Sequence, residues 1–224
     1  MMKKTNSMLS KPEKLIYIVD FDGTITIQDT LVSVFNKYCK GDWWSIENRM
    51  RRGEISRTEA LFREVELMQV CEKDLKEHLE NFIDVRGGFS QFLDTVRKND
   101  RKLLILSGGF RKFISIILKK HGHSVDFFGI SSNDIRAGAD NRWEFVSNPD
   151  AMEALCSNCP NCKKAVVEKF KRNGFCTVYI GDGDTDFCAS VHADTIFAVS
   201  ELAEKLKEKK VEFYPFKDFN LSDL

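Results

Sequence analysis

Four short apolar runs, rich in β-branched residues, recur along the chain. They occupy residues 15–19, 102–106, 177–180 and 195–199. Apolar runs of this length are typical of strands buried on both faces, as in a parallel sheet. The first three runs end in glycine and small polar residues and are followed by helical patterns. Strands that alternate with helices predict βαβ units, so we expect an α/β fold with a doubly wound, mostly parallel sheet of the Rossmann type.

The stretch between the first two strands is far longer than one crossover helix requires. It is charged and helix-forming, and Ser56 and Glu59 have the spacing of a capping box before an apolar-periodic segment. We expect a small helical cap here that covers the loop after the first strand, with a helical decoration away from any site as the alternative. The predicted division is a cap at 33–83, a core at 14–32 and 84–224, and a polar tail at 1–13.

Residues 123–150 carry a different, irregular pattern that is rich in β-forming residues. A polar turn at 138–141 separates Ile135 from Trp143 and predicts a hairpin. The chain has no internal repeat, low-complexity tract or long linker, and its 224 residues suit one domain with an insertion or two small domains.

The charge balance limits the classes of partner. Lysine plus arginine and aspartate plus glutamate both number 34, so the basic excess that accompanies nonspecific nucleic-acid binding is absent. A small anion that is held specifically is compatible with this balance, because the local field matters more than the net charge.

The N-terminal segment and the cysteine count predict the compartment. The lysines near the N-terminus precede no apolar stretch, so we expect no secretory signal. No segment approaches the roughly 18 uninterrupted apolar residues of a membrane span. Seven cysteines, an odd number, favour a reducing compartment over a disulfide scaffold. We therefore expect a cytoplasmic protein that binds neither nucleic acid nor membrane, and the sequence leaves its oligomeric state open.

Acidic and small polar residues follow each of the first three predicted strands. The carboxyl ends of parallel strands meet in one crevice, so these residues should converge although they are far apart in sequence. So many carboxylates in one cleft would repel one another unless a hard divalent cation were bound there, and this donor set suits Mg²⁺. The residues concerned are Asp20, Asp22, Gly23, Thr24, Ser107, Gly108, Asp182, Asp184 and Asp186.

Asp20 and Asp22 have the spacing that two cooperating acids require. In an extended segment, residues two apart point the same way, so both can face a ligand. An ionised aspartate beside Mg²⁺ is a competent nucleophile toward phosphorus, and its partner two residues on can carry a proton.

The neighbouring residues suit a phosphate group. Gly23 allows a tight turn, and Thr24 adds a hydroxyl to the phosphate shell. Ser107 and the amides of Gly108 and Gly109 offer neutral donors, which we expect at the start of a helix.

The motifs together resemble those of the haloacid dehalogenase superfamily of phosphohydrolases. "DFDGT" follows one strand, "LSGG" a second and "IGDGDTD" a third, with a lysine before the third. The resemblance implies that Asp20 forms an aspartyl-phosphate and that Asp22 protonates the leaving group and then activates water. It further implies that Ser107 binds the phosphate and that Mg²⁺ is held by Asp20, the Asp22 carbonyl and Asp182, with Asp186 supporting or completing the metal shell.

The superfamily resemblance also implies a lysine at a helix start before the last motif. Lys163 is our choice, because it directly follows Cys162 at the expected helix start, and Lys164 is the alternative. This lysine would offset the negative charge on the nucleophile and the phosphate.

The helical insertion resembles the cap of the phosphoserine-phosphatase-like group. The cysteine cluster Cys156, Cys159 and Cys162 and the late segment "FYPFKDF" are similar to methionine-salvage phosphatases that act on 2-hydroxy-3-keto-5-methylthiopentenyl-1-phosphate, and more loosely to phosphoethanolamine/phosphocholine phosphatases. The cysteines could bind zinc as a partial tetrahedral shell, but no fourth ligand is evident, and free or packed thiols are the favoured interpretation.

Phosphoserine phosphatase itself is a weaker match. That enzyme has an acid nine residues after the nucleophile, where this chain has Asp29, and a cap arginine, where an ungapped alignment places Glu64 beside Arg63. An acid would repel a substrate carboxylate, and a one-residue shift rotates a helix position by about 100°. We therefore take Asp29 and Arg63 as candidate substrate contacts, with ordinary surface or capping charges as the alternative.

The predicted function is a Mg²⁺-dependent phosphomonoesterase for a small metabolite. A mutase would use the same acids but return the phosphate to the substrate. A receiver-like signalling domain is the alternative from another class, since receivers are also doubly wound and use acids around Mg²⁺. Its accepting aspartate would lie on an internal strand, and the second acid here would shorten the life of a phosphorylated state.

Overall fold

The computed structural model describes residues 14–124, 128–148 and 161–220. These residues form a seven-stranded sheet in the order β4-β3-β2-β1-β5-β6-β7. The strands are β1 (Leu15–Val19), β2 (Lys102–Phe110), β3 (Gly129–Ala137), β4 (Trp143–Val146), β5 (Cys176–Gly181), β6 (Thr195–Ala198) and β7 (Tyr214–Pro215). All neighbours are parallel except the β3–β4 pair. The predicted doubly wound α/β fold is confirmed, and the predicted hairpin is the antiparallel β3–β4 pair.

Helices connect the strands and form the insertion after β1. They are α1 (Thr30–Tyr38), α2 (Trp43–Arg51), α3 (Arg57–Leu67), α4 (Glu72–Phe82), α5 (Phe89–Lys98), α6 (Arg111–Lys120), α7 (Lys163–Arg172), α8 (Asp184–Ser190) and α9 (Ser200–Glu208). One half of the predicted capping box is present, because Ser56 is the N-cap of α3 and its Oγ accepts a hydrogen bond from the Glu59 amide at 3.1 Å. The Glu59 side chain pairs with Arg63 instead. Among the described helices, none has both the length and the apolar character needed to cross a membrane.

β1 is the central strand, and its alternating side chains enter two separate apolar layers. Tyr17 and Val19 pack in the larger cluster, whereas Ile16 and Ile18 pack in a second cluster with Tyr179 from β5. Burial on both faces explains why the strand is continuously apolar rather than alternating. This central position places the residues that follow β1 in the middle of the crevice at the carboxyl edge of the sheet.

The helices α1 to α4 form the insertion, which leaves and rejoins the core at one place. Ile27 donates its amide to the Asp84 carbonyl at 2.9 Å, and Arg86 donates to the Ile25 carbonyl at 2.8 Å. The insertion also rests on the β3–β4 hairpin, where Trp143 Nε1 donates to the Val70 carbonyl at 2.9 Å. The insertion and the core share one apolar cluster, so the insertion is packed against the core rather than separate from it.

Candidate active site

Three carboxylates from different parts of the chain meet at the carboxyl edge of the sheet. Asp20 directly follows β1, Asp182 directly follows β5, and Asp186 lies in the first turn of α8. One carboxylate oxygen from each lies within 4.8 Å of the others. The convergence predicted from the strand ends is therefore present for these three acids.

Lys163 lies between two of these carboxylates. As the first residue of α7 it places Nζ 2.6 Å from Asp20 Oδ1 and 2.7 Å from Asp186 Oδ1. Burial would lower the pKa of Lys163, but the charges of Asp186 and Asp20 outweigh that effect and raise it. Lys164 instead pairs with Glu168 on the partly exposed side of the helix. Of the two candidate lysines, the structure brings Lys163 to Asp20.

The acids are poorly compensated by protein groups alone. Burial, and then the charge of Asp186, raise the pKa of Asp20 well above its usual value in spite of Lys163. Burial raises the pKa of Asp182 to about 6, although the Thr24 hydroxyl donates to Asp182 Oδ1 at 2.8 Å. A cluster of acidic oxygens that retains this mutual repulsion fits a hard divalent cation.

Asp186 has a different environment, because both of its oxygens are fully engaged. Oδ1 accepts from Lys163 and from the Tyr179 hydroxyl at 2.6 Å, while Oδ2 accepts from the amides of Asp182 and Gly183 at 3.1 Å each. The residue is inaccessible to solvent. Asp186 therefore fixes the lysine and the loop after β5. Tyr179 was missed from sequence because it lies within an apolar strand run, where its ring is part of the core.

Replacing Tyr179 by phenylalanine should lower the free energy of unfolding by about 1–3 kcal/mol, since a buried hydrogen bond to a carboxylate is lost. Urea denaturation of the metal-free protein measures this change. Tyr214→Phe is the matched control, because Tyr214 is exposed and should change stability by no more than about 0.5 kcal/mol. Equal unfolding midpoints for the two variants would show that the Tyr179 hydroxyl does not support Asp186.

Asp22 is held apart from the three clustered acids by neutral donors. Its Oδ1 accepts from the Thr30 amide at 3.0 Å and from the Thr30 hydroxyl at 2.5 Å, and its Oδ2 accepts from the Ser107 hydroxyl at 3.2 Å. The two contacts with Thr30 are at the N-terminus of α1, where the helix dipole favours a negative charge. Asp20 and Asp22, two residues apart, thus have separate partners. Thr30 was not predicted, because its contact depends on the path of the loop between Asp22 and α1.

The turn after Asp22 requires glycine. Gly23 has φ +76°, and a Cβ at this position would lie 2.2 Å from Asp182 Oδ2. Arg86 stabilises the turn from the base of the insertion, because it donates to the carbonyls of Gly23 and Thr24. Arg86 is a further residue that sequence analysis missed, since nothing in its neighbourhood predicts a contact with this loop.

The segment of Ser107, Gly108 and Gly109, the second loop of the site, does not lie at a helix start as predicted. Ser107, Gly108 and Gly109 are in the last part of β2, not at a helix start, and α6 begins only at Arg111. The pairing of β2 with β3 shifts register between Leu106 and Phe110, which allows the intervening residues to turn toward Asp22. The expectation of a helix start was wrong because a strand irregularity makes this turn.

Two buried asparagines hold the carbonyls of this second loop. Asn161 donates from Nδ2 to the Ser107 carbonyl at 3.1 Å, and Asn133 donates from Nδ2 to the Gly108 carbonyl at 3.0 Å. The Ser107 hydroxyl in turn accepts from the Gly109 amide at 2.9 Å. The loop therefore has a defined conformation, set by residues on β3 and before α7.

The two candidate substrate contacts lie in different places. Asp29 is the N-cap of α1, one residue before Thr30, and its Oδ1 accepts from the Val32 amide at 2.9 Å. Arg63 forms an ion pair with Glu59 at 2.5 Å on the outer part of α3. Its neighbour Glu64 is buried on the inner side of α3.

The predicted cysteine cluster falls largely outside the described residues. Cys156 and Cys159 lie there, whereas Cys162 is a buried free thiol at the N-cap of α7. Within the described ranges, the group of side chains able to hold a metal is Asp20, Asp182 and Asp186. Free or packed thiols therefore stay the prediction for Cys156 and Cys159, with zinc binding as the alternative.

Comparisons with known proteins agree with the fold. A protein of Bacillus velezensis named 2-hydroxy-3-keto-5-methylthiopentenyl-1-phosphate phosphatase is 31% identical over 210 residues, which cover 92% of this chain and 86% of the relative. The protein of that name from Bacillus pumilus is 30% identical over 201 residues, which cover 88% of this chain and 84% of the relative. A solved structure titled "Phospho-Aspartyl Intermediate Analogue of Phosphoserine phosphatase" has a TM-score of 0.64 at 17% identity and covers 92% of this chain and 94% of its own.

These relatives define the class as a phosphatase, and the fold is like that of the solved phosphoserine phosphatase. The sequence model of a family described as "Putative Phosphatase" matches residues 15–203, and the chain belongs to this family. The resemblance stated from the motifs is confirmed for the phosphatase class and for the fold.

Proposed function

We propose that this enzyme is a Mg²⁺-dependent phosphomonoesterase that hydrolyses a small phosphorylated metabolite through an aspartyl-phosphate on Asp20. The observation that carries the proposal is that Asp20 and Asp22, two residues apart, have different partners. Asp20 lies beside Lys163 in the carboxylate cluster, whereas Asp22 is held by Thr30 and Ser107. One acid is thus positioned to attack and the other to move protons.

In the first step, an oxygen of Asp20 forms a bond to phosphorus while the bond from phosphorus to the leaving oxygen breaks. Asp22 donates its proton to that leaving oxygen. In the second step, Asp22 takes a proton from water, the water oxygen bonds to phosphorus, and the bond to Asp20 breaks to release phosphate. Lys163 offsets charge on Asp20 throughout, and Ser107 with the Gly108 amide binds the phosphate oxygens.

The residues present fit Mg²⁺ because acidic oxygens converge without enough cationic partners. We propose that Asp20, Asp182 and the Asp22 carbonyl hold the ion, with Asp186 as support behind them. When bound, Mg²⁺ would stabilise the negative charge that develops on the phosphoryl oxygens. The hydroxyl of Thr24 would orient Asp182 in this set, in addition to its predicted place near the phosphate.

For the substrate, we propose 2-hydroxy-3-keto-5-methylthiopentenyl-1-phosphate, the compound in the names of relatives that match most of the chain. Phosphoserine is the second candidate, favoured by the folds of the structural neighbours, and phosphoethanolamine and phosphocholine are further alternatives. The phosphatase relatives favour an enzyme over a receiver-like signalling domain. We further propose that residues 33–83 act as the cap and that the enzyme works in the cytoplasm, which its free thiols support.

A substrate panel with and without Mg²⁺ tests this function. The panel contains the methionine-salvage enol phosphate, phosphoserine, phosphoethanolamine, phosphocholine and an aryl phosphate, and kcat/KM is measured for each. We expect Mg²⁺-dependent release of phosphate, with the highest kcat/KM for the enol phosphate. A preference for phosphoserine would reverse the order of substrates, and phosphate release unaffected by chelation would overturn the metal dependence.

A further inference from the structure

Glu64 is a buried acid that the proposed reaction steps do not use. It is 5% exposed and lies on the inward face of α3 with Ala60, Leu61 and Val65. Its Oε1 has no hydrogen-bond partner among the described residues. A carboxyl oxygen buried without a partner costs about 1–3 kcal/mol or more, so its presence needs an explanation.

The surroundings of Glu64 do not compensate it. Glu47 from α2 and Asp29 from the start of α1 are the charged groups that act on it, and both are acidic. Burial, followed by these two charges, raises the pKa of Glu64 to about 8. Cys39, directly after α1, donates its thiol to the main-chain carbonyl of Glu64 at 3.5 Å and so does not satisfy the side-chain oxygen Oε1.

Glu64 also connects to the proposed site through Asp29. Asp29 precedes Thr30, which holds Asp22, and Asp29 and Asp22 are close enough for their charges to repel. Asp22 is the proposed proton donor to the leaving oxygen, so the rest of the leaving group extends away from phosphorus on the side of Asp22. The charges of Asp22 and Asp29 act on each other, and that of Asp29 acts on Glu64. Glu64 therefore lies on the Asp22 side of the site, within the insertion.

We propose that the free oxygen of Glu64 accepts a hydrogen bond from a donor group on the leaving group of the substrate, a hydroxyl or an ammonium. This inference rests on the proposed phosphatase function and assigns its specificity to the insertion. A substrate donor would satisfy the orphan oxygen at the moment of binding, whereas an analogue without a donor would leave it buried and unpaired.

A matched series of small phosphates tests the proposal. Ethyl phosphate has no donor, 2-hydroxyethyl phosphate has a hydroxyl, and phosphoethanolamine has an ammonium, while p-nitrophenyl phosphate reports the basal reaction. The wild type should prefer at least one donor-bearing compound over ethyl phosphate. Glu64→Leu should reduce that preference in kcat/KM about tenfold, which is the value of one good hydrogen bond. Glu66→Gln, an exposed position on the same helix, should leave it unchanged.

Two further variants separate the outcomes. Glu64→Gln keeps an acceptor oxygen but cannot ionise when a cationic donor binds. A preference that this variant retains therefore identifies a hydroxyl as the donor, and a preference that it loses identifies an ammonium. Should Glu64→Leu not fold, Glu64→Ala tests the same loss. An unchanged donor preference in the leucine or alanine variant, or no preference in the wild type, would overturn the proposal. Absence of Mg²⁺-dependent hydrolysis of p-nitrophenyl phosphate by the wild type would instead contradict the phosphatase function itself.

Discussion

Asp20→Asn is expected to reduce Mg²⁺-dependent hydrolysis of an aryl phosphate by at least about 10⁴-fold, because the amide cannot attack phosphorus. The amide oxygen can still accept the hydrogen bond from Lys163, and the two side chains have nearly the same shape. The fold should therefore persist, and far-UV circular dichroism together with urea unfolding would verify this. Phosphate release under saturating substrate measures the loss.

Asp184→Asn is the matched control for this experiment. Asp184 is the first residue of α8, directly after the loop that follows β5, but it is exposed and pairs with Lys205 on α9. Its substitution should change kcat only a few-fold. If the Asp20 variant retained activity comparable to that of the Asp184 variant, Asp20 could not be the nucleophile.

Lys163→Met is expected to have the largest effect on stability. The variant leaves Asp20 and Asp186 buried without their shared cation, and breaking a buried ion pair in this way costs about 3–5 kcal/mol. Activity should fall as well, since no protein cation then offsets the charge on Asp20. Urea unfolding of the metal-free protein measures the first effect. Added Mg²⁺ should restore part of the stability, because a ligand that binds only the folded state stabilises it by mass action.

Lys164→Met is the natural comparison, since this lysine is adjacent in sequence, partly exposed and paired with Glu168 on its own helix. An exposed pair of this kind is worth up to about 1 kcal/mol. Equal losses of stability in the two variants would contradict the assigned role of Lys163. A large loss for Lys164 alone would transfer that role to it.

The fold was predictable because local pattern and final structure agree. The runs at 15–19 and 102–106 became β1 and the first part of β2, and the turn at 138–141 became the hairpin between β3 and β4. The glycine-rich end of β2 was placed wrongly, because the shift of register against β3 depends on pairing between distant segments.

The ends of the strands predicted the site residues that directly follow them, whereas Lys163 was predicted through the resemblance of the motifs. Asp20 and Asp182 converge because parallel strand ends always share one edge of the sheet. Thr30, Tyr179 and Arg86 were not predictable, since each contacts a loop that the sequence does not place in space. Their residue types are also ordinary for a helix start, a strand core and a loop.

Trapping of the phosphorylated enzyme tests the central claim most directly. In Asp22→Asn, water is no longer activated, while p-nitrophenyl phosphate has a leaving group that needs little proton assistance. Mixing the Asp22→Asn variant with p-nitrophenyl phosphate and Mg²⁺ should therefore release one nitrophenolate per chain in a burst. The protein should then have gained the mass of one phosphoryl group. Borohydride reduction should then convert Asp20 alone to homoserine in the peptide that contains it. A phosphoryl group on another residue, or steady turnover without any covalent phosphate, would contradict the mechanism.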